Sequence, residues 1–402
     1  MFRRAGMAVV LAWVAAGCGD VRPLESSFGT LHHGDGVQQS AQAVDLVWEL
    51  VAGSGQGVTE GGIATQSSFP VNHLTAGPDG SVYALDIQAG VVRRISPDGR
   101  VYTVIGCKTG CAVTDGGVGA PATATDFGSL WAHALGPDGS HYVTKNNNRM
   151  YRITPDGIVH HFAGNGETPQ VGTHGEGGLA TQASIGYVGF IKVSQGGDVY
   201  FSTAANAYAH QRRIRRVDAA GVITTVVGDG SDVKSSMPVF PLSTGVGAYT
   251  RAAGFTSSGA LYFAGQNDYR IRMLGVDGLV HSIVGNGVSG YSGDGGPAVN
   301  AGISSFFREG GLTLGPDGSL YFVDGNRVRR IGPDGIVSTV AGTGVYGVGH
   351  PVPGTSALQT DLYPAPMHLA VTPDGALHIA FNAPHRVYKL VPSSIDWQHV
   401  QP

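Results

Sequence analysis

One pattern occurs six times along the chain, and this repetition restricts the fold more than any other feature. Each copy has an apolar run, a glycine-containing turn and a second apolar run, as in LTAGPDGSVYALD and LTLGPDGSLYFVD. Proline presets φ and glycine supplies a positive φ at a tight turn, so each copy predicts a hairpin of two strands. The turn glycines follow one another at intervals of 57 to 62 residues and are Gly80, Gly139, Gly197, Gly259, Gly318 and Gly375.

Each copy continues with two further strands. A basic and apolar run such as VRRIGPDG is followed by a run that ends in glycine, such as IVSTVAG. Repeated units of four short strands are typical of a β-propeller, in which a closed ring leaves no long sheet edge unpaired. The predicted fold class is therefore all-β, a six-bladed β-propeller over residues 44–402.

The two ends of the repeat region predict how the ring closes. The sixth copy has no fourth strand after HRVYKLVPS, whereas residues 44–53, VDLVWELVAG, form a fourth strand with no unit before it. We expect this N-terminal strand to complete the last blade. Its deletion should then destabilise the whole ring.

Composition excludes several other classes of protein. The chain has 64 glycines and 21 prolines among 402 residues, and only 13% of its residues are charged. It is therefore rich in turn formers and poor in the glutamate and lysine of exposed helices, which disfavours long helices and coiled coils. A formal net charge of −4 gives no basic excess for binding nucleic acid.

Residues 1–18 have the pattern of an export signal. Two arginines precede an uninterrupted apolar run, residues 5–16, which is too short to span a bilayer because twelve helical residues rise only about 18 Å. The end of the run resembles the bacterial lipobox, in which Cys18 would become the lipidated first residue of the mature protein. The family usually has leucine where this chain has Ala15, so a plain signal peptide stays open.

Residues 19–43 have few apolar residues and no periodicity, which predicts a flexible tether. The sequence thus predicts an exported protein, either a membrane-anchored lipoprotein or a periplasmic or extracellular protein.

The other two cysteines, Cys107 and Cys111, lie in the segment GCKTGCAV. After export, two thiols four positions apart in a loop can form a local disulfide. A metal site is the alternative, but two cysteines without a nearby histidine or second cysteine pair are an incomplete ligand set. The disulfide is favoured.

The repeat resembles the NHL repeat. The resemblance rests on segments such as GDGGPAVNAGISSFFREGGLTLGPDGSLYFVDGNRVRRIGPDGIVSTVAG, and it covers residues 44–392. It implies a six-bladed propeller. Blade five is the best match, whereas blades three and four have Thr203 and Gly265 where blades one and five have Asp86 and Asp324.

Two segments that imitate a nucleotide-binding motif are explained by the repeat. Residues 285–290 and 342–347 both match G-x-G-x-x-G after a strand. The dinucleotide fingerprint needs a helix to open there, whereas glycine- and proline-rich linkers follow in this chain. We interpret both segments as linkers between blades.

Four linkers place a carboxylate before Gly-Gly: Glu60, Asp115, Glu176 and Asp294. Together they could attract Ca²⁺ to one rim, but acceptance of backbone N–H bonds within turns is the favoured interpretation. The third strands carry arginines whose stems we expect between blades and whose charged ends we expect at the surface; they are Arg93, Arg94, Arg215, Arg216, Arg329 and Arg330.

Three histidines are candidates for a metal site. His73 and His368 stand seven residues before their turn glycines, and His133 stands six before its own. The first strand of each propeller blade lines the central channel, so three imidazoles could hold Zn²⁺ there with an open coordination position. The arrangement resembles that of six-bladed amidating lyases. Unconnected polar residues at strand starts are the favoured alternative.

The sequence predicts binding in preference to catalysis, since it has no nucleophile elbow, paired acid motif or phosphate loop. A monomeric scaffold would bind a protein or glycan ligand on its loops, without nucleic acid. The favoured loops are the long linkers, residues 107–130, 164–189 and 228–250. A metal-dependent lyase or hydrolase in the channel is the alternative, and a purely structural envelope protein is a third possibility.

Overall fold

The structure is a computed structural model that describes residues 45–393, except 54, 56, 88, 115, 147, 170–174, 204–211, 232–237, 248, 266–267, 305–310, 348–349, 363–365, 367 and 382–384. The predicted export signal, Cys18 and the tether lie outside these residues. No helix among the described residues has the length and hydropathy needed to cross a membrane.

Short strands account for nearly all of the regular structure. The strands of the first half are β1 Leu46–Ala52, β2 Gly62–Ile63, β3 His73–Ala76, β4 Val82–Asp86, β5 Val91–Ile95, β6 Arg100–Ile105, β7 Leu130–Leu135, β8 His141–Lys145, β9 Arg149–Ile153, β10 Val159–Ala163, β11 Val188–Val193 and β12 Val199–Thr203. Those of the second half are β13 Arg213–Val217, β14 Ile223–Val227, β15 Arg251–Phe255, β16 Leu261–Ala264, β17 Ile271–Leu274, β18 Val280–Val284, β19 Leu312–Leu314, β20 Leu320–Asp324, β21 Arg327–Ile331, β22 Val337–Ala341, β23 His368–Val371, β24 Leu377–Phe381 and β25 Arg386–Pro392.

The strands form six antiparallel sheets, one for each predicted blade. Blades one to five contain β3 to β6, β7 to β10, β11 to β14, β15 to β18 and β19 to β22, and β2 adds a short outer strand to blade one. The first strands of consecutive blades contact one another, and β23 of blade six contacts β3 of blade one. The prediction of a six-bladed all-β propeller is confirmed.

The N-terminal strand closes the ring. In blade six the strand order is β1, β25, β24, β23, so β1 occupies the outermost position. Its register runs from Leu46 opposite Pro392 to Ala52 opposite Val387, with one irregularity between Leu50 and Ala52. The closure that the sequence predicts is therefore present.

The hydrophobic core lies between the blades. Six clusters of buried side chains are present, and each one joins residues of two consecutive blades. In the cluster between blades five and six, Val323 packs with Trp48 and Phe381. Because neither face of a blade can bury its apolar residues alone, the ring is stable only when neighbouring blades are in place.

Five of the linkers before the first strands share one local structure. Among the described residues, each contains a short 3-10 helix, at Ala64–Gln66, Ala122–Ala124, Ala180–Gln182, Pro241–Ser243 and Ala298–Asn300. In four of the five, the first residue is a buried alanine. The two segments that match G-x-G-x-x-G lead into strand-free linkers and no helix opens at their described residues.

The arginines of the third strands are only partly where the sequence analysis expects them. Arg94 and Arg330 lie at the surface and pair with Asp79 at 2.7 Å and Asp317 at 3.1 Å. The guanidinium group of Arg329, in contrast, is fully buried. The expectation that all the charged ends reach the surface is wrong, because alternate residues of a strand point to opposite faces.

Candidate functional site

The six first strands of the blades line a central channel. Each begins at one face of the ring, which also carries the linkers between blades, and ends at the other face, which carries the turns after the first strands. We call these the linker face and the turn face. Three cavities follow one another along the channel, with volumes of about 20 Å³ at the linker face, 180 Å³ in the middle and 560 Å³ at the turn face.

The three long linkers named in the sequence analysis lead directly into the cavity at the linker face. Trp131 follows the first of them, Tyr187 lies at the end of the second, and Arg251 follows the third; all three residues line this cavity. The rings of Trp131 and Tyr187 meet edge to face with centroids 5.2 Å apart. The linkers of most variable length therefore surround one end of the channel.

His73 and His368 come together at this same end. Both line the cavity at the linker face, and their ring centroids are 5.5 Å apart. His368 is 1% exposed, and neither of its ring nitrogens has a hydrogen-bond partner among the described groups. Burial lowers the pKa of His368 well below its usual range, and the positive charge of Arg251 adds to this effect.

His133 does not join the other two. Its Nδ1 lies 3.0 Å from the Thr75 hydroxyl and its Nε2 lies 2.9 Å from Nδ1 of His141. His133 pairs with Val143 across the sheet, whereas His73 pairs with Leu85, so the two histidines occupy positions of opposite parity. A shift of one residue turns a side chain to the other face of a strand.

This register works against the three-histidine zinc site that the sequence suggests. Among the described residues, no group of three or more histidine, cysteine, aspartate or glutamate side chains is arranged to hold a metal ion. His133 and His368 are buried and His73 is partly buried. Desolvation lowers the pKa of each one well below its usual range, so all three are neutral near pH 7. Zinc binding stays a prediction that this geometry does not favour.

Two cations share the channel with these histidines. Lys192 lines both the linker-face cavity and the middle cavity, and Arg251 lines the linker-face cavity. The charges of both residues contribute to the lowered pKa of His73, after the effect of burial and of His368. Arg251 donates a hydrogen bond from Nη1 to the backbone oxygen of Gly189, while its buried Nε has no partner among the described groups.

Lys192 is a site residue that the sequence analysis does not name, although the repeat contains the signal for it. The residue five positions before each turn glycine faces the same second-strand position in every blade. We call this set the middle ring; it consists of Thr75, Ala134, Lys192, Gly254, Thr313 and Ala370. Lys192 is its one charged member, and every other member is small.

Three of the four linker carboxylates have a structural role. Glu60, Glu176 and Asp294 each accept a hydrogen bond from a backbone N–H and from the hydroxyl of one threonine in the fourth strand of a blade; these threonines are Thr103, Thr225 and Thr339. Asp294 also contacts Arg329 at 2.7 Å. Asp115 lies outside the described residues. Among the described positions, the geometry fits backbone anchoring and not a shared calcium site.

Cys107 and Cys111 form a disulfide with Cα atoms 5.5 Å apart. The bridge lies at the start of the first long linker, just after β6. It fixes the point where this linker leaves blade one.

Comparison with known proteins supports the NHL assignment. A family model described as the teneurin NHL domain matches residues 57–244. This chain is therefore similar to NHL-repeat β-propellers. Teneurin-m of Drosophila melanogaster is 26% identical over 358 residues, which are 80% of this chain and 12% of that protein. The matched part of this chain thus spans about an eighth of the length of this curated relative.

Solved structures with a similar fold come from Bacteroides. An auxiliary nutrient binding protein from Bacteroides ovatus ATCC 8483 superposes with a TM-score of 0.57 and 14% identity, over 87% of this chain and 77% of that one. A structural genomics protein from Bacteroides thetaiotaomicron VPI-5482 gives a TM-score of 0.55 and 18% identity, over 86% and 76%. At such identities these similarities show the propeller fold alone.

Proposed function

We propose that this NHL-like propeller is an exported binding scaffold that holds its ligand on the linker face. One observation carries the proposal. The three long linkers all lead to the same end of the channel, where they place Trp131, Tyr187 and Arg251 around one cavity. Loops held by a rigid ring of strands are the usual location of binding sites in propellers and other repeat folds.

The chemistry of this face favours a glycan over a protein as ligand. Trp131 and Tyr187 form an aromatic pair, and aromatic side chains with a polar group suit a ligand that is apolar on one side and hydrated on the other. The linker-face cavity of about 20 Å³ admits a single water-sized group. A sugar chain would therefore lie across the face and not enter the channel here. Two Bacteroides proteins with a similar fold are described as auxiliary nutrient binding proteins, which is compatible with a glycan ligand.

Export and anchoring form the second part of the proposal. Lipidation of Cys18 with a tether of residues 19–43 would hold the propeller at a membrane surface. Expression of the full chain with Cys18→Ala should release the protein from the membrane fraction, while Cys107→Ala should leave it there. Equal distribution of the Cys18→Ala and unmodified chains would contradict lipid anchoring and leave plain secretion.

The binding function is tested with the purified exported chain against a panel of defined soluble polysaccharides. Trp131→Ala should weaken binding of any captured glycan by about tenfold or more, because aromatic anchors carry much of the energy of such contacts. Tyr102→Ala, an exposed aromatic residue on outer strand β6, is the matched control and should have no effect. Failure to bind any glycan, or equal affinities for both variants, would contradict the proposal. If a purified protein binds instead, and Trp131→Ala weakens that binding, the ligand is a protein.

A further inference from the structure

In five blades the middle ring has a small residue, and in blade three it has Lys192. Its members Thr75, Ala134, Thr313 and Ala370 line the middle cavity together with Lys192. Small residues at equivalent positions leave room at the centre of the channel, and the long side chain of Lys192 projects from this same ring. A charged residue at one of six equivalent positions is not required by the strand pairing, because the other five blades pair without it.

The charge of Lys192 is not balanced within the channel. Neither Lys192 nor Arg251 forms an ion pair with a carboxylate among the described residues. The described residues that line the linker-face and middle cavities include no aspartate or glutamate. Lys192 is partly buried, and an ammonium group partly withdrawn from water is costly unless an anion or several hydrogen-bond acceptors compensate it.

The histidines do not supply that compensation. His73 and His368 lie at the linker-face end, and His133 lines the middle cavity. Each can only be neutral or positive, so the described ionisable groups around Lys192 give the channel a positive potential at every pH below the lysine's own titration. A low-dielectric channel lined by one sign of charge concentrates ions of the opposite sign.

The turn face provides the route into the channel. The cavity of about 560 Å³ at that face shares Ala76, Leu135, Val193 and Val371 with the middle cavity of about 180 Å³. The linker-face cavity, at about 20 Å³, is much smaller than the other two. A small solute therefore reaches Lys192 from the side opposite to the proposed glycan surface.

We propose that the middle of the channel binds a small anion, either a short carboxylate or an inorganic oxyanion, with the Lys192 ammonium group as its charged partner. The hydroxyls of Thr75 and Thr313 and the backbone of the middle ring supply further polar contacts. The cavity of about 180 Å³ limits the ligand to a few non-hydrogen atoms. This site is independent of the proposed function on the linker face, so either can fail without the other.

The affinity of this site should depend on pH in a definite direction. Burial lowers the pKa of Lys192 to about 8. Tyr200 is the cross-strand neighbour of Lys192. The other titratable or charged groups that face Lys192 are His73 on β3, His133 on β7, Arg251 on β15 and His368 on β23. A bound anion favours the charged ammonium group, so binding should be strong near pH 7 and weaken as the pH rises through 8.

The experiment is an anion titration of the purified exported chain at constant ionic strength. Binding is measured by calorimetry and by the change in the midpoint temperature of thermal unfolding. The probes are acetate, lactate, succinate, sulfate, phosphate and chloride. Lys192→Met removes the charge and should weaken binding by about thirtyfold or more. Lys389→Met, which removes a surface lysine paired with Glu49 at 2.9 Å, is the control and should bind as the unmodified chain does.

Each outcome decides the proposal. Binding of carboxylates alone identifies an organic ligand, and binding of sulfate or phosphate alone identifies an inorganic one; both support the site if Lys192→Met abolishes them. No saturable binding by any probe, or equal binding by Lys192→Met, overturns it. If Lys192→Met does not fold, the pH profile of the unmodified chain decides, because an affinity that stays constant from pH 7 to about 9 also overturns the proposal.

Discussion

The imidazole rings of His73 and His368 lie 5.5 Å apart, centroid to centroid, although one belongs to the first blade and the other to the last. Their contact exists only because the ring is closed. His368 is buried and His73 is partly buried, and desolvation is the largest cause of the lowered pKa of each. The contact between the two rings therefore requires both a closed propeller and neutral imidazoles.

The stability of the propeller should fall in acid because of His368. The folded-state pKa of His368 is far below the ordinary value of about 6.5, so above pH 6.5 the residue is neutral in both states and does not alter stability. As the pH falls below about 6.5 the unfolded chain binds a proton that the folded chain does not, which costs about 1.4 kcal/mol per pH unit. Urea unfolding of His368→Leu between pH 7.5 and 5 should show a slope smaller by this amount.

His160→Leu is the control for this measurement, since His160 is exposed on β10. It should leave the dependence on pH unchanged. If His368→Leu and the unmodified chain lost stability in parallel below pH 6.5, His368 would not be the neutral, buried group described above.

Closure of the ring by β1 should depend on Trp48. This side chain is 1% exposed, and its ring centroid lies 6.0 Å from that of Phe381 and 5.8 Å from that of Tyr388. Its Nε1 donates a hydrogen bond to the Thr360 hydroxyl at 3.0 Å. Trp48→Ala should lower the free energy of unfolding by about 3 to 5 kcal/mol, because it removes a large buried ring and leaves a cavity.

Glu49→Ala, on the opposite face of the same strand, separates burial from strand pairing. Glu49 pairs with Lys389 at 2.9 Å but is half exposed, so its loss should cost less than about 1 kcal/mol. Equal losses in the two variants, measured by urea unfolding, would mean that backbone pairing alone holds β1 in place.

The architecture was predictable because it is periodic. Turn glycines such as Gly80 and Gly318 mark each hairpin, and the unmatched strand at the N-terminus indicates the closure. The site was less predictable because it depends on the parity of single residues. His133 stands one position nearer to its turn glycine than His73 does, and this turns it towards Thr75 and His141.

Irregularities of the first strands also limit prediction from the repeat. The register of β11 shifts between Val188 and Ile191, and that of β15 shifts between Ala252 and Gly254. Arg251 reaches the channel end through such a shift, so counting from its turn glycine does not place it level with His73. Lys192 lies after the shift in β11, where the count from the turn holds.

The disulfide should make a modest contribution to stability. Cys107 and Cys111 are separated by four positions, so the closed loop is short and its entropic effect is about 2 kcal/mol. The double variant Cys107→Ser, Cys111→Ser should lose that amount in thermal or urea unfolding, and it should no longer respond to dithiothreitol. A loss well above this value would show that the bridge also supports the packing of blade one.

The stability of the ring should depend strongly on the buried arginine of blade five. Arg329 is fully buried and pairs through Nη1 with Asp324 at 3.1 Å and through Nη2 with Asp294 at 2.7 Å. Asp324 is also fully buried and accepts hydrogen bonds from Ser304. Asp324→Ala should lower the free energy of unfolding by about 3 to 5 kcal/mol, because it removes half of a buried pair and leaves the guanidinium group under-compensated.

Asp317→Ala is the matched control for the buried pair. Asp317 pairs at 3.1 Å with Arg330, which lies next to Arg329 on β21. The side chain of Asp317 is 51% exposed, so water replaces the lost partner of Arg330. Its removal should cost less than about 1 kcal/mol in the same urea titration. A small loss in Asp324→Ala, comparable with that of Asp317→Ala, would mean that Asp294 alone balances Arg329 and that the strand-ending aspartate of this repeat is dispensable for stability. Blade three, which has Thr203 at the equivalent position, would then be no weaker than blade five.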